Sequence, residues 1–238
     1  MVVGAPDAPI PPEALRWRVT LNGDERAFLS SGVRCLADFE ELIVAHTGHG
    51  LRGRVLDFGA GCGRLTRWLV GRAAVSEVIC CDTDAEAVAW CGDNLPSVRA
   101  VLCDPDDPCA AFGDQSVDAV ICASVLTHVD LPRQRGILAG LARILAPRGL
   151  LALSTMGDAH AARLDAGRAE EYRRCGFCFV VDDGLWAGTF PAWYGTAFHS
   201  PAFLRALLND AGFEVMDVHP AALHSSQDIA ITIRGGGI

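Results

Sequence analysis

With 238 residues, half of them hydrophobic, the chain has material for one α/β domain with an appended segment. Its formal net charge is −9 and all 20 basic residues are arginine, which argues against nucleic acid as a partner and removes any lysine-based Schiff-base chemistry. No apolar run reaches the roughly 18–20 residues of a membrane span, and the first fifteen residues lack a basic signal-peptide start.

We therefore expect a cytoplasmic protein with no membrane partner. The ten cysteines then read as reduced thiols, most of them buried, because Cys80, Cys81, Cys103 and Cys122 sit inside apolar runs. Before residue 50, the segments Pro11–Val19, Gly23–Leu29 and Val33–His46 read as short helices, the last carrying periodic Leu36, Phe39, Leu42 and Ile43.

Strand and helix patterns then alternate as in a doubly wound parallel sheet. Strands are predicted near Arg54–Phe58, Glu77–Asp82, Ser97–Cys103, Val117–Ala123 and Gly149–Thr155, with helices over Arg64–Gly71, Asp84–Asn94 and Arg133–Leu145. The order changes at the end. A short helix, Pro201–Ala211, capped by Ser200, precedes two successive strands, Glu214–His219 and Gln227–Ile233.

The densest information lies at the first strand-to-helix turn, Arg54-Val55-Leu56-Asp57-Phe58-Gly59-Ala60-Gly61-Cys62-Gly63. Glycine tolerates positive φ and lets a ligand rest on the backbone, and a helix start offers unpaired N–H groups. A dinucleotide loop favours Gly-x-Gly-x-x-Gly with phosphate on the helix N-terminus. Here the spacing is Gly-x-Gly-x-Gly, and the Asp57 carboxylate suits a cationic ligand better than a phosphate.

This segment resembles motif I of the class I S-adenosylmethionine-dependent methyltransferases, and the likeness covers about Arg54 to Thr155 through four elements in the expected order. It implies a Rossmann-like methyltransferase fold: a seven-stranded, mostly parallel sheet with an antiparallel C-terminal strand and helices on both faces. It also implies S-adenosyl-L-methionine as cofactor, a domain over 51–238, and an N-terminal helical cap over 1–50 that closes over the cofactor.

Candidate cofactor residues follow. Asp57, Gly59, Ala60, Gly61 and Gly63 form the loop, and Asp82, with Thr83 beside it, ends the second strand where a carboxylate can accept both ribose hydroxyls. Asp84 fits better as the cap of the next helix. The resemblance implies that Asp104 lies near the adenine amino group, with Cys103 beside the ring; Asp106 and Asp107 compete for that role. It places Ala123 and Ser124 near the transferring methyl and gives Asp118 a structural part.

Residues 156–199 form an insertion rich in glycine and aromatics, among them Tyr172, Phe177, Phe179, Trp186, Phe190, Trp193, Tyr194 and Phe198. An insertion of this length at the carboxyl ends of the strands reads as a substrate lid. Trp193, Tyr194 and Asp228 are candidate acceptor-binding residues. His128 and His199 are candidate bases, His128 competing with a purely packed role. No metal site is expected: Cys175-Gly176-Phe177-Cys178 is only half a tetrahedral set.

The function these features imply is methyl transfer to oxygen or nitrogen of a small molecule. Three alternatives remain: a metalloid or thiol methyltransferase using Cys175 and Cys178, a non-catalytic cofactor-binding scaffold, and an NAD-dependent dehydrogenase. Nothing in the pattern sets an oligomeric state.

Overall fold

The computed structural model describes residues 7–181, 190–191 and 193–236. Two helices lead the chain, α1 (Glu13–Thr20) and α2 (Glu25–Thr47). Asp24 caps α2 by accepting the Ala27 N–H at 2.8 Å, and Gly48, at φ 76°, ends it. The sequence suggests a break near Ser30-Ser31-Gly32, yet α2 runs unbroken. Tertiary packing overrides the weak local propensity: a Cβ at Gly32 would lie 2.3 Å from the Arg64 carbonyl, so glycine lets the helix press onto the loop that follows β1.

The main sheet comprises β1 (Gly53–Phe58), β2 (Val75–Asp82), β3 (Val98–Leu102), β4 (Val117–Cys122), β5 (Leu145–Thr155), β8 (Phe213–Leu223) and β9 (Gln227–Arg234). Their order is β3-β2-β1-β4-β5-β9-β8. The first five strands pair in parallel, while β9 runs antiparallel between β5 and β8. This is the predicted fold class. The antiparallel β9 departs from the helix-linked parallel strands of a dinucleotide-binding sheet.

Helices α3 (Ala85–Asn94), α4 (Leu131–Ile144) and α7 (Pro201–Asp210) begin on Asp84, Asp130 and Ser200, each of whose side chains accepts a backbone N–H of the first turn. Large apolar clusters form the core. One centres on Leu56, Ile79, Val120 and Leu151 with α4 and α7; the other joins α2 to Val55, Ile121, Ala152 and Ile231.

The expected helix over Arg64–Gly71 is instead a short 3-10 turn, Thr66–Trp68. Gly71, at φ 76°, turns the chain toward β2 after too few residues for a stable α-helix. Within it, Trp68 and Leu69 donate to carbonyls three residues back, and the Thr66 side chain is drawn to Asp57 instead of solvent.

Between β5 and α7 lie α5 (Asp158–Ala161), α6 (Ala166–Cys175) and an antiparallel pair, β6 (Phe177–Val181) and β7 (Gly195–His199). Backbone bonds from Gly195 N to His128 O (3.1 Å) and from Ala197 N to Thr127 O (2.8 Å) stitch β7 to the loop after β4. The predicted lid aromatic Trp186 lies outside the described residues.

Candidate active site

At the carboxyl ends of β1, β2 and β4 the loops line a cavity of about 560 Å³, within the usual range for small-molecule sites. Its floor is the Gly59-to-Gly61 turn. Gly59, Gly61 and Gly63 all adopt positive φ (74°, 53° and 78°), a conformation that costs a residue with a side chain. Their missing side chains also permit close packing. A Cβ at Gly59 would strike Val125 at 2.2 Å, one at Gly61 would strike Val19 of α1 at 2.3 Å, and one at Gly63 would meet Leu95 at 2.6 Å. Gly63 therefore seats the loop on α3 and does not line the cavity.

Two carboxylates order this floor. Asp57 is buried, its Oδ2 accepting the Thr66 hydroxyl at 2.6 Å, and burial pushes its carboxyl up to about 6. Arg64, on the cavity wall, pulls the other way by its charge. Asp82 Oδ2 accepts the Gly61 N–H at 2.7 Å and its Oδ1 accepts the Asp84 N–H at 3.0 Å. Burial raises the Asp82 carboxyl from its usual range while these N–H groups oppose the shift. Each oxygen keeps further lone-pair capacity for a ligand. Thr83, Cys103, Ala60, Ala123 and Ser124 line the same space. Ser124, at φ 62°, is held by Ser154 Oγ on its N–H (2.9 Å) and donates its hydroxyl to Gln227 Oε1 (3.1 Å).

An aromatic wall closes the other side. The rings of His128 and Tyr194 stack with centroids 4.4 Å apart, and Tyr194 stacks on Phe190 at 4.3 Å. All three line the cavity, as does Trp193, over which the Arg133 guanidinium lies at 5.2 Å. His128 shares a 3.1 Å hydrogen bond between Nδ1 and the Gly195 carbonyl, and burial lowers its basicity. A carbonyl only accepts, so Nδ1 carries the proton and Nε2 holds the lone pair.

Besides Gly63, three of the sequence candidates stand apart from the cavity. Asp104 is exposed and accepts the Asp106 N–H at 2.8 Å, closing its own turn. His199 is fully buried: its Nε2 faces Gln134 Oε1 at 2.9 Å, and burial lowers it to about 3. Gln134 spends its amide N–H groups on the Leu126 and Val129 carbonyls, so His199 serves as the donor in a packed network. Asp228 is buried behind Gly157, accepting the Ala221 N–H at 2.9 Å. Cys178 is buried and Cys175 exposed, and neither lines the cavity.

Sequence reading overlooked several lining residues. Arg18 and Val19 come from α1, and Arg18 ties that helix down through Asp84 and Glu86, both at 2.7 Å. Only the fold brings residues 66 positions apart together. Arg64, which directly follows Gly63, also lines the cavity.

Residues 56–153 match the methyltransferase domain family. An uncharacterized methyltransferase of Mycobacterium tuberculosis and its Mycobacterium bovis counterpart are 37% identical over 100 residues, which is 42% of this chain and 38% of theirs. The match thus spans well under two thirds of those relatives. Among solved structures, a Burkholderia thailandensis 1,6-didemethyltoxoflavin-N1-methyltransferase with bound 1,6-didemethyltoxoflavin and S-adenosylhomocysteine is similar in fold. It shares 21% identity at a TM-score of 0.61, covering 99% of this chain and 94% of that one. The DhpI–SAH complex gives 21% and 0.60, over 94% and 96%. Residues 56–153 are thus a methyltransferase domain by family match, and the strand order around them is the fold of these S-adenosylmethionine-dependent methyltransferase structures.

Proposed function

We propose that this chain transfers the methyl group of S-adenosylmethionine to an oxygen or nitrogen of a small-molecule acceptor in the cytoplasm. The observation that carries this reading is a single cavity in which the motif loop and the aromatic wall of His128, Tyr194, Phe190 and Trp193 face one another. One side suits the cofactor and the other suits a flat acceptor. When bound, the cofactor supplies an electrophilic methyl on a sulfonium, with a neutral thioether as leaving group.

The chain's residues fit such a molecule. Asp57 and Arg64 present opposite charges to the two ends of an amino-acid zwitterion, and Asp82 offers its spare lone pairs to a ribose diol. In-line displacement draws most of its acceleration from positioning. The stacked wall orients the acceptor, and the Nε2 lone pair of His128 takes a proton from an acceptor that must lose one. The lid role of 156–199 and the capping role of 1–50 belong to this proposal: β7 supplies the anchored return of the insertion, and Arg18 the latch of the cap.

The volume of the cavity, in the small-molecule range, and the net charge of −9 favour a small molecule over nucleic acid. Nine of ten cysteines are buried as free thiols, which favours a reducing compartment. Among the described residues no helix is long and apolar enough to cross a membrane. The test is transfer of labelled methyl from S-adenosylmethionine to a fractionated metabolite extract. Label in a low-molecular-weight fraction that vanishes with Asp82→Ala supports the reading, and label confined to nucleic acid refutes it.

A further inference from the structure

We infer that His46, His219 and Asp217, none of which lines the cavity, form a transition-metal site joining the last turn of α2 to β8. His46 lies one residue before the end of α2, and Asp217 and His219 are two apart on β8, so both strand side chains point to one face. The two Nε2 atoms lie 2.8 Å apart, and His219 Nε2 lies 3.9 Å from Asp217 Oδ2. All three ligand atoms fall within 4.8 Å of one another.

Metal bonds of about 2.0–2.2 Å place neighbouring ligand atoms roughly 3–4 Å apart, so the set needs only small side-chain rotations to close on an ion. The donor chemistry, two imidazoles and one carboxylate, suits zinc, nickel or cobalt more than calcium or magnesium. Both ligand types are ready to bind. Neither imidazole Nδ1 has a hydrogen-bond partner among the described residues, so each ring can carry its proton there and present an Nε2 lone pair. Asp217 uses Oδ1 for Arg205 (2.5 Å) and the Val218 N–H (2.7 Å), which orients the carboxylate and leaves Oδ2 on the histidine side. The residues are half-buried, His219 at 27% and Asp217 at 42% side-chain exposure, which leaves room for water to complete the shell.

Just past the end of β8, the His224 N–H already donates to Asp38 Oδ2 of α2 at 2.9 Å. A bound ion would add a second clamp between the helix bearing on the motif loop and the far edge of the sheet.

The experiment uses full-length, metal-stripped protein carrying Cys175→Ser, which removes the exposed thiol as a competing ligand. Calorimetric titration with zinc chloride, repeated with cobalt chloride, should give one site per chain. His46→Ala and His219→Ala should each weaken it by about tenfold or more. Nitrogen-15 spectra of the histidine rings in unsubstituted protein make the test independent of variant folding: zinc should shift the Nε2 signals of His46 and His219 and spare His128 and His199. Absence of stoichiometric binding, binding indifferent to both substitutions, or shifts confined to other histidines would overturn the assignment.

Discussion

His128 and Gly195 hold each other by two hydrogen bonds: the ring Nδ1–H donates to the Gly195 carbonyl at 3.1 Å, and the Gly195 N–H returns to the His128 carbonyl at 3.1 Å. One bond orients the imidazole and sets its tautomer, while the other fastens β7 to the loop after β4. A residue that opens the insertion's return strand thereby sets the direction of the only histidine lining the cavity among the described residues.

If the acceptor must lose a proton, His128→Ala should lower turnover by roughly 100-fold while leaving S-adenosylhomocysteine affinity unchanged. Burial shifts His128 below the ordinary histidine range. The neutral, basic form therefore persists to lower pH than usual, and the acid limb of the rate profile should fall below the 6.5 of a free histidine. An unaltered pH–rate profile in His128→Ala would assign the acceptor to a class that needs no base.

Asp57 yields a prediction in which stability and binding move oppositely. Its folded pKa of about 6 exceeds the unfolded 3.8, so the native state holds the extra proton between these values. This group's contribution to stability is therefore lost as pH rises through about 6. Asp57→Asn keeps an acceptor for the Thr66 hydroxyl and removes the buried charge. It should raise the melting temperature at about pH 7.5, with the gain fading toward pH 4, yet weaken cofactor binding at least about tenfold, the scale of a charged hydrogen bond. Scanning calorimetry across pH would contradict this if the substitution destabilised the protein most at high pH.

Asp82→Ala should weaken cofactor affinity by about 1–3 kcal/mol. Part of the loss arises inside the protein, because Asp82 also accepts the Gly61 N–H that shapes the loop. Asp82→Asn retains one acceptor oxygen and should lose less. Equal calorimetric affinities for Asp82→Ala and the native protein would leave the diol without its assigned partner.

Arg18→Ala tests the latch of α1. Its side chain and that of Asp84 are about 30% exposed, so screening limits the effect on global stability to within about 1 kcal/mol. Cofactor release should quicken severalfold in stopped-flow traces because α1 walls the cavity. Unchanged release would reduce the helix to a static cover.

The parallel strands were legible because their apolar runs end in acidic or glycine punctuation: Asp57, Asp82 and the Asp104 region each mark a carboxyl end. What escaped was tertiary in origin. Gly32 reads as a break until Arg64 is pressed against it. The Arg64–Gly71 segment reads as a helix until Gly71 and the Thr66–Asp57 bond shorten it. In the site, loop residues adjoining the strands were found directly, whereas Arg18 and Arg133 reach the cavity from helices with no local mark of ligand contact. His199 drew notice for its chemical type, but only the fold brings Gln134 against it deep in the core.

The central claim is that this cavity is built for S-adenosylmethionine. Isothermal titration of the full chain with S-adenosylhomocysteine, and in parallel with NAD, tests it most directly. The account predicts one tight site for S-adenosylhomocysteine, abolished by Gly61→Val, where the added side chain meets Val19 and distorts the floor, and no measurable heat with NAD. Binding of NAD at comparable affinity, or S-adenosylhomocysteine binding that survives Gly61→Val undiminished, would contradict it.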